Sequence, residues 1–131
     1  MEISKSQAEP VVGPSEWFSG VAFMTNFKLP TQTNNLAIGS VTFTPSARTF
    51  WHSHPFGQTL IVTEGVGLVG RRGVAATEIR PGDVVVIEPD EHHWHGACVD
   101  QSMTHIHVNG VGLDGTYAIF FEPVSDEDYL R

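Results

Sequence analysis

Seven histidines occur in this 131-residue chain, and they fall in three short segments: His52 and His54, then His92, His93 and His95, then His105 and His107. In an extended strand residues i and i+2 point to the same face, so His52-Ser53-His54 presents two imidazoles side by side. His93 with His95, and His105 with His107, repeat that spacing. If the three strands curl around one barrel, the inward pairs converge on one cavity, and converging imidazoles are the chemistry of a bound metal ion. Alternation turns His92 to the opposite face and leaves His93 and His95 both able to point inward. The next oxygen donor after the first pair is an amide, Gln58, where an acid would be the commoner metal ligand. In the third segment Met103, His105, His107 and Asn109 share a face. A buried strand seldom carries so polar a face, so it is expected to border the site. A histidine that does not ligate the metal can take or give a proton near neutral pH, or it can orient a ligand.

The elements that position these residues read as short β-rich runs separated by Gly, Pro, Asn and Asp: 17–27, 36–43, 49–54, 59–63, 66–69, 84–88, 93–98, 103–109 and 117–121. Many short strands at close spacing suggest an all-β antiparallel sandwich or barrel. Ser125 is placed to cap a final helical turn whose acids sit at its positive end. Residues 1–15 lack periodicity and read as an N-terminal arm, loose alone or ordered against a neighbour, and residues 16–131 read as a single domain. Gly39, Val41 and Phe43 share one face, and Tyr117, Ile119 and Phe121 another, so an apolar barrel wall suited to a small carbonyl compound is expected.

Fifteen acidic against seven basic residues give a formal charge of −8. That balance disfavours nucleic acid and anionic membrane surfaces as partners. The single cysteine, Cys98, cannot form an internal disulfide. With no signal-peptide pattern and no long apolar run, a cytoplasmic protein in a reducing compartment is expected.

The segment His52-Ser-His54, three residues, Gln58, then six residues to Gly65 resembles the first signature of the cupin superfamily, with Ser46 where that signature opens on Gly. Residues 88–97 are similar to the second signature, departing at its Pro, Gly and Asn positions and keeping its histidine at His93, and Pro81-Gly82-Asp83 resembles the turn that precedes it. The resemblance implies an all-β cupin jelly-roll barrel with a divalent metal ion held by His52, His54, Gln58 and His93. Three imidazoles and an amide leave the ion's charge undiminished, which favours the divalent state and a strong pull on a bound hydroxyl or carbonyl oxygen. Lewis-acid chemistry is therefore expected over oxygen activation.

Within the cupins the chain is similar to the small bacterial manganese-dependent hydroxynitrile lyases, through segments that include Glu16-Trp-Phe-Ser-Gly20, Trp51-His-Ser-His-Pro55, Gly57-Gln-Thr-Leu-Ile-Val-Thr63, His93-Trp-His-Gly-Ala97 and Met103-Thr-His105. This likeness implies a metal-dependent lyase that cleaves or forms small 2-hydroxynitriles, with His105 as general base and acid and His107 and Asn109 beside it. It implies manganese as the metal, with iron, nickel or zinc as alternatives, a small-molecule substrate, and a homodimer or homotetramer. Members of that group carry Gln at the position of Asn109 and no histidine at that of His107. A cupin oxygenase acting on a small aromatic or diketone, and a non-catalytic cupin that binds a small ligand, are the rival readings.

Overall fold

The structure is a computed structural model that describes residues 1–5 and 8–131. The part of the N-terminal arm at Ser6 and Gln7 lies outside the described residues. In chain order the strands are β1 (Val11–Val12), β2 (Phe18–Ser19), β3 (Ala22–Lys28), β4 (Leu36–Phe43), β5 (Arg48–Thr49), β6 (His52–Ser53), β7 (Gln58–Gly65), β8 (Gly67–Arg71), β9 (Thr77–Ile79), β10 (Val84–Ile87), β11 (His93–Ala97), β12 (Met103–Gly110) and β13 (Ile119–Phe120), followed by the helix α1 (Asp126–Leu130). They form two antiparallel sheets. One runs β1-β3-β4-β12-β7-β10. In the other, β11 pairs with β5, β6 and β8, while β2 extends from β5, β13 from β6 and β9 from β8.

The alternation read from the sequence holds in the first sheet. On β4, β7 and β12 the residues Val41, Phe43, Leu60, Val62, Met103 and His105 are buried, and the neighbours between them face outward. Phe18, Ala47, Ile79 and Ala97, from the second sheet and its turns, complete this core with Ala22 of β3. The core closes one half of the barrel and leaves the other half to the histidines. A smaller cluster, Trp51, Trp94, Val124 and Tyr129, seats α1 on the outer face of the second sheet. Ser125 caps that helix by accepting from the amide of Asp128 at 3.1 Å. The Tyr129 hydroxyl donates to the Ala97 carbonyl at 2.7 Å.

Several stretches differ from expectation, among them the run 49–54, which divides into β5 and β6, and β1 and β9, which no expected run covers. The run 17–27 is broken by Gly20, whose positive φ of 78° separates β2 from β3. The run 117–121 shortens to β13, and the face expected to be shared by Tyr117, Ile119 and Phe121 is split: Tyr117 and Phe120 line the cavity, while Ile119 and Phe121 are exposed, Phe121 stacking on His92. Strand alternation does not extend across residue 118 because no ladder partner holds the chain extended there. Within the arm, Val11 and Val12 pair with Met24 and Phe23, so its last residues form an edge strand.

The two signature glycines missing from the sequence remain visible in the backbone. Ser46, with φ 70°, and Asp90, with φ 63°, are the non-glycine residues with positive φ among the described residues, and they occupy those two glycine positions. The turns keep the left-handed conformation although the side chain has changed, at a cost of about 1 kcal/mol per residue. Asp90→Gly is expected to raise stability by roughly 0.5–1 kcal/mol, read as a shift in urea midpoint. Ser46→Gly should gain less, because it also removes the Oγ bond to the Val99 carbonyl at 3.2 Å.

Candidate metal centre

His52 lies on β6 opposite His93 on β11, and this pairing brings two of the three histidine segments together. The third, on β12, is carried to the same cavity between β4 and β7. The ring centroids of His52 lie 4.9 Å from those of His54, 4.2 Å from His93 and 5.2 Å from His95. His52, His54, His93, His95 and His105 are all at most 3 % exposed, and Gln58 is 7 % exposed. The expected residues are thus assembled, and His95, which alternation left open, joins them.

Backbone carbonyls fix the tautomers of three of these imidazoles. His52 Nδ1–H donates to Phe50 O at 2.9 Å, His54 Nδ1–H to Tyr117 O at 2.7 Å and His93 Nδ1–H to Glu91 O at 2.9 Å. A carbonyl can only accept, so in each neutral ring Nε2 carries the lone pair. His93 Nε2 faces Gln58 Oε1 at 3.3 Å, and these are then two acceptors confronting one another. His54 Nε2 is buried with no partner. A cation placed among them would satisfy the facing lone pairs and the orphaned one together, and Nδ1 bonds of this kind are how metal-binding histidines are oriented. The residues present fit a divalent ion. Ligand atoms of His52, His93 and His95 all lie within 4.8 Å of one another, so His95 is a further candidate ligand.

The proton shared by His95 and His105 links two roles. His95 Nδ1 and His105 Nε2 are 2.9 Å apart, and His95 Nε2 and His105 Nδ1 are buried without partners. If His105 Nε2–H donates, His105 Nδ1 is a free base and His95 Nε2 carries a hydrogen. If His95 Nδ1–H donates instead, His95 Nε2 is free to ligate and His105 Nδ1 becomes a donor. With both rings neutral, His95 as ligand and His105 as base exclude one another.

Burial is the largest cause that lowers the pKa of each inward histidine, as it disfavours the charged form. His93 falls to about 4, His105 to about 3 with His107 adding to the effect, and His107 to about 4 with His54 adding to it. His52, His54 and His95 are lowered as well, with neighbouring imidazoles contributing at His52 and His95. The unfolded chain therefore takes up protons below about 6.5 while the folded chain does not. Stability of the metal-free protein is expected to be level above that pH and to fall between about 6.5 and 4, by about 1.4 kcal/mol per pH unit for each such histidine. Urea midpoints measured in chelator across this range check the sign. A midpoint that rises on acidification would contradict it.

The cavity beside the histidines has a volume of about 260 Å³. Trp17, Phe18, Met24, Val41 and Phe120 supply apolar wall, with Trp17 and Phe120 stacked at 5.0 Å. Gln58, His105, His107 and Asn109 supply its polar side, and the Asn109 Oδ1 is buried without a partner. Sequence reasoning found every one of these polar groups. It did not find the apolar ring of Trp17, Met24 and Phe120, because each comes from a stretch whose inward face the sequence left undefined.

Comparison with known proteins gives the family and the fold. Residues 39–109 match the family described as "Cupin domain". An (R)-mandelonitrile lyase of Granulicella tundricola is 47 % identical over 91 % of this chain and 90 % of its own length. Among solved structures, a cupin-like protein from Thermotoga maritima is 40 % identical, with a TM-score of 0.80 over 90 % of this chain and 89 % of that one. A cupin-2 domain from Rhodospirillum rubrum shares 11 % identity at a TM-score of 0.69, over 99 % of this chain and 83 % of that one, a likeness of fold alone. A family match across more than half the chain, together with a relative this similar over nearly its full length, makes this chain a member of the cupin family.

Proposed function

We propose that the protein is a metal-dependent carbon–carbon lyase that splits small aromatic 2-hydroxynitriles into an aldehyde and cyanide, and joins them in reverse. The observation that carries this reading is the facing Nε2 and Oε1 of His93 and Gln58 in a chain 47 % identical to an (R)-mandelonitrile lyase. His52, His54, Gln58 and His93 would hold the ion, manganese by preference. When bound, a divalent ion supplies Lewis acidity toward the substrate's hydroxyl oxygen.

The chain's own residues do the rest. His105 Nδ1 is partnerless, and with Nε2–H donated to His95 it accepts the hydroxyl proton. As the carbonyl forms, the C–C bond breaks and its electron pair leaves with cyanide. His105 then returns the proton, so that hydrogen cyanide and aldehyde are released. Its low pKa keeps the ring neutral, and so able to accept, at neutral pH. Trp17, Phe18 and Val41 exclude water from the aromatic end. Manganese-loaded protein should produce benzaldehyde and cyanide from mandelonitrile. Loaded protein that releases neither, or that consumes oxygen when loaded with iron instead, would overturn this reading in favour of ligand binding or oxygenation.

The same reading includes a soluble, cytoplasmic homo-oligomer. Val84, Val86, Ile61, Thr63, Ile106, Thr42 and Phe23 lie on the outward face of the first sheet, where β4, β12, β7 and β10 carry one charged residue, Glu64 near the end of β7, in a chain of net charge −8. A largely apolar sheet face of this kind suits a second copy of itself. Val86→Glu is expected to halve the mass measured by light scattering, and an unchanged mass would place the contact elsewhere.

A further inference from the structure

His107 is the inward imidazole of the pocket that the reaction just described does not use. It sits on β12 opposite Gly39 on β4 and Leu60 on β7. The absence of a side chain at position 39 makes its place: a Cβ there would lie 3.1 Å from His107 Cε1, 3.2 Å from its Nε2 and 2.5 Å from the Thr25 carbonyl oxygen. The imidazole thus occupies the space a larger residue 39 would fill. Its centroid is 6.3 Å from that of His105, with ring planes at 79°. Among the described residues, neither ring nitrogen of His107 has a hydrogen-bond partner in the protein, and the residue remains half-buried at the cavity wall.

Three other polar groups of the pocket are committed or suited to other work. Lys28 Nζ donates to the carbonyls of Leu29, Asn34 and Leu36 at 3.1, 2.9 and 2.9 Å, which uses all three of its hydrogens. Thr49 Oγ1 accepts from the His95 amide at 3.1 Å. Asn109 stands opposite Gln58, beside the ligand amide. A 2-hydroxynitrile presents two polar ends to such a pocket. Its hydroxyl goes to the metal side and to His105. Its nitrile, an acceptor only, gains negative charge as cyanide departs and needs a donor on the other side.

We propose that His107 forms a nitrile-binding subsite, donating a ring N–H to the nitrile nitrogen while Gly39 provides the room that aims the ring. This rests on the lyase reading for its substrate class. It makes His107 a specificity residue that touches the leaving group, separate from the proton transfer at His105. A neutral imidazole serves, since one ring nitrogen carries a hydrogen in either tautomer.

Two non-cleavable probes separate the ends of the substrate. Phenylacetonitrile has the nitrile without the hydroxyl, and benzyl alcohol has the hydroxyl without the nitrile. In calorimetric titrations of manganese-loaded protein, His107→Leu is expected to weaken phenylacetonitrile about tenfold and to leave benzyl alcohol within about twofold. His107→Gln, which restores a donor, should recover most of the loss. Gly39→Ala should weaken phenylacetonitrile although the imidazole is still present, because the added methyl displaces it. Equal weakening of both probes would reduce His107 to pocket wall and overturn the inference, as would nitrile binding unchanged in His107→Leu or undetectable in the unmodified protein. Mandelonitrile cleavage by the unmodified protein is the independent arm. If phenylacetonitrile binding depends on His107 but no cleavage occurs, the lyase reading falls and the subsite stands. Cleavage with His107-independent nitrile binding gives the converse.

Discussion

His52→Ala is expected to abolish stable metal binding and to lower mandelonitrile cleavage by at least about a thousandfold, equivalent to about 4 kcal/mol of transition-state stabilisation. His52 is the decisive position because it belongs to both ligand sets the cavity allows. It is one of the four residues at the cupin signature positions, and it is also in the histidine triad with His93 and His95. Its Nδ1 is held by the Phe50 carbonyl, so only Nε2 is available, and no carboxylate lines the cavity to replace it. His95→Ala separates the two sets. If the ligands are His52, His54, Gln58 and His93, metal content measured by plasma mass spectrometry should survive in His95→Ala and vanish in His52→Ala.

Removing a buried imidazole also opens a cavity and leaves the Phe50 carbonyl without its donor, so activity alone would not distinguish lost metal from a damaged fold. Thermal melts with and without chelator do. An ion that binds the folded chain at one hundred times its dissociation constant stabilises it by about 2.7 kcal/mol. The unmodified protein should therefore melt at lower temperature in chelator, and His52→Ala should melt at one temperature in either condition. A chelator-sensitive melt in His52→Ala would show that the ion does not need this residue.

The metal half of the barrel was legible in the sequence because its logic is local. The i, i+2 spacing of His52 and His54 needs only an extended backbone, and the position of His93 follows from its signature spacing. The inward face of β12 was equally readable, since polar residues at 105, 107 and 109 alternate with Thr104, Ile106 and Val108, and the structure buries His105 and Asn109 as alternation requires. What could not be read depends on pairing at a distance. Val11–Val12 and Thr77–Ile79 are strands only because β3 and β8 lie beside them. Phe120 rather than Phe121 faces the cavity because β13 pairs Phe120 with His52. The bond between His95 and His105 joins two strands that are not neighbours in either sheet, and no spacing along the chain announces it.

Departures from the cupin signatures and departures from the hydroxynitrile lyases differ in kind once the backbone is known. Ser46 and Asp90 differ from glycine in side chain but keep its φ, so the turns that set the metal loops are preserved. They carry no message about the reaction. His107 with Gly39, and Asn109 beside Gln58, change what the pocket presents to a substrate. The distinctive chemistry of this chain therefore lies on β12 and its neighbours rather than in the signatures.

The second large effect is expected at His105, where His105→Gln should lower the turnover number by about a hundredfold to ten-thousandfold while metal content stays unchanged. Glutamine is the informative replacement. Alanine would strand His95 Nδ1, which is buried and has His105 Nε2 as its partner at 2.9 Å, and would open a void against Phe43, whose ring lies 5.5 Å from that of His105. An amide can still meet His95 but cannot accept a proton at neutral pH. In the unmodified protein His105 is neutral well above its pKa of about 3, so turnover should not decline as pH falls modestly below neutrality on account of this group. In His105→Gln the base must come from solvent, and the residual rate should rise with hydroxide, about tenfold per pH unit where the chemical step limits. The tautomer argument adds a third readout. If His95 ligates the metal, His105 Nδ1 is a donor, and His105→Gln would keep much of the activity because an amide also donates. A hydroxide-dependent residual rate with metal retained therefore identifies His105 as the base and removes His95 from the ligand set, whereas near-full activity reverses both assignments.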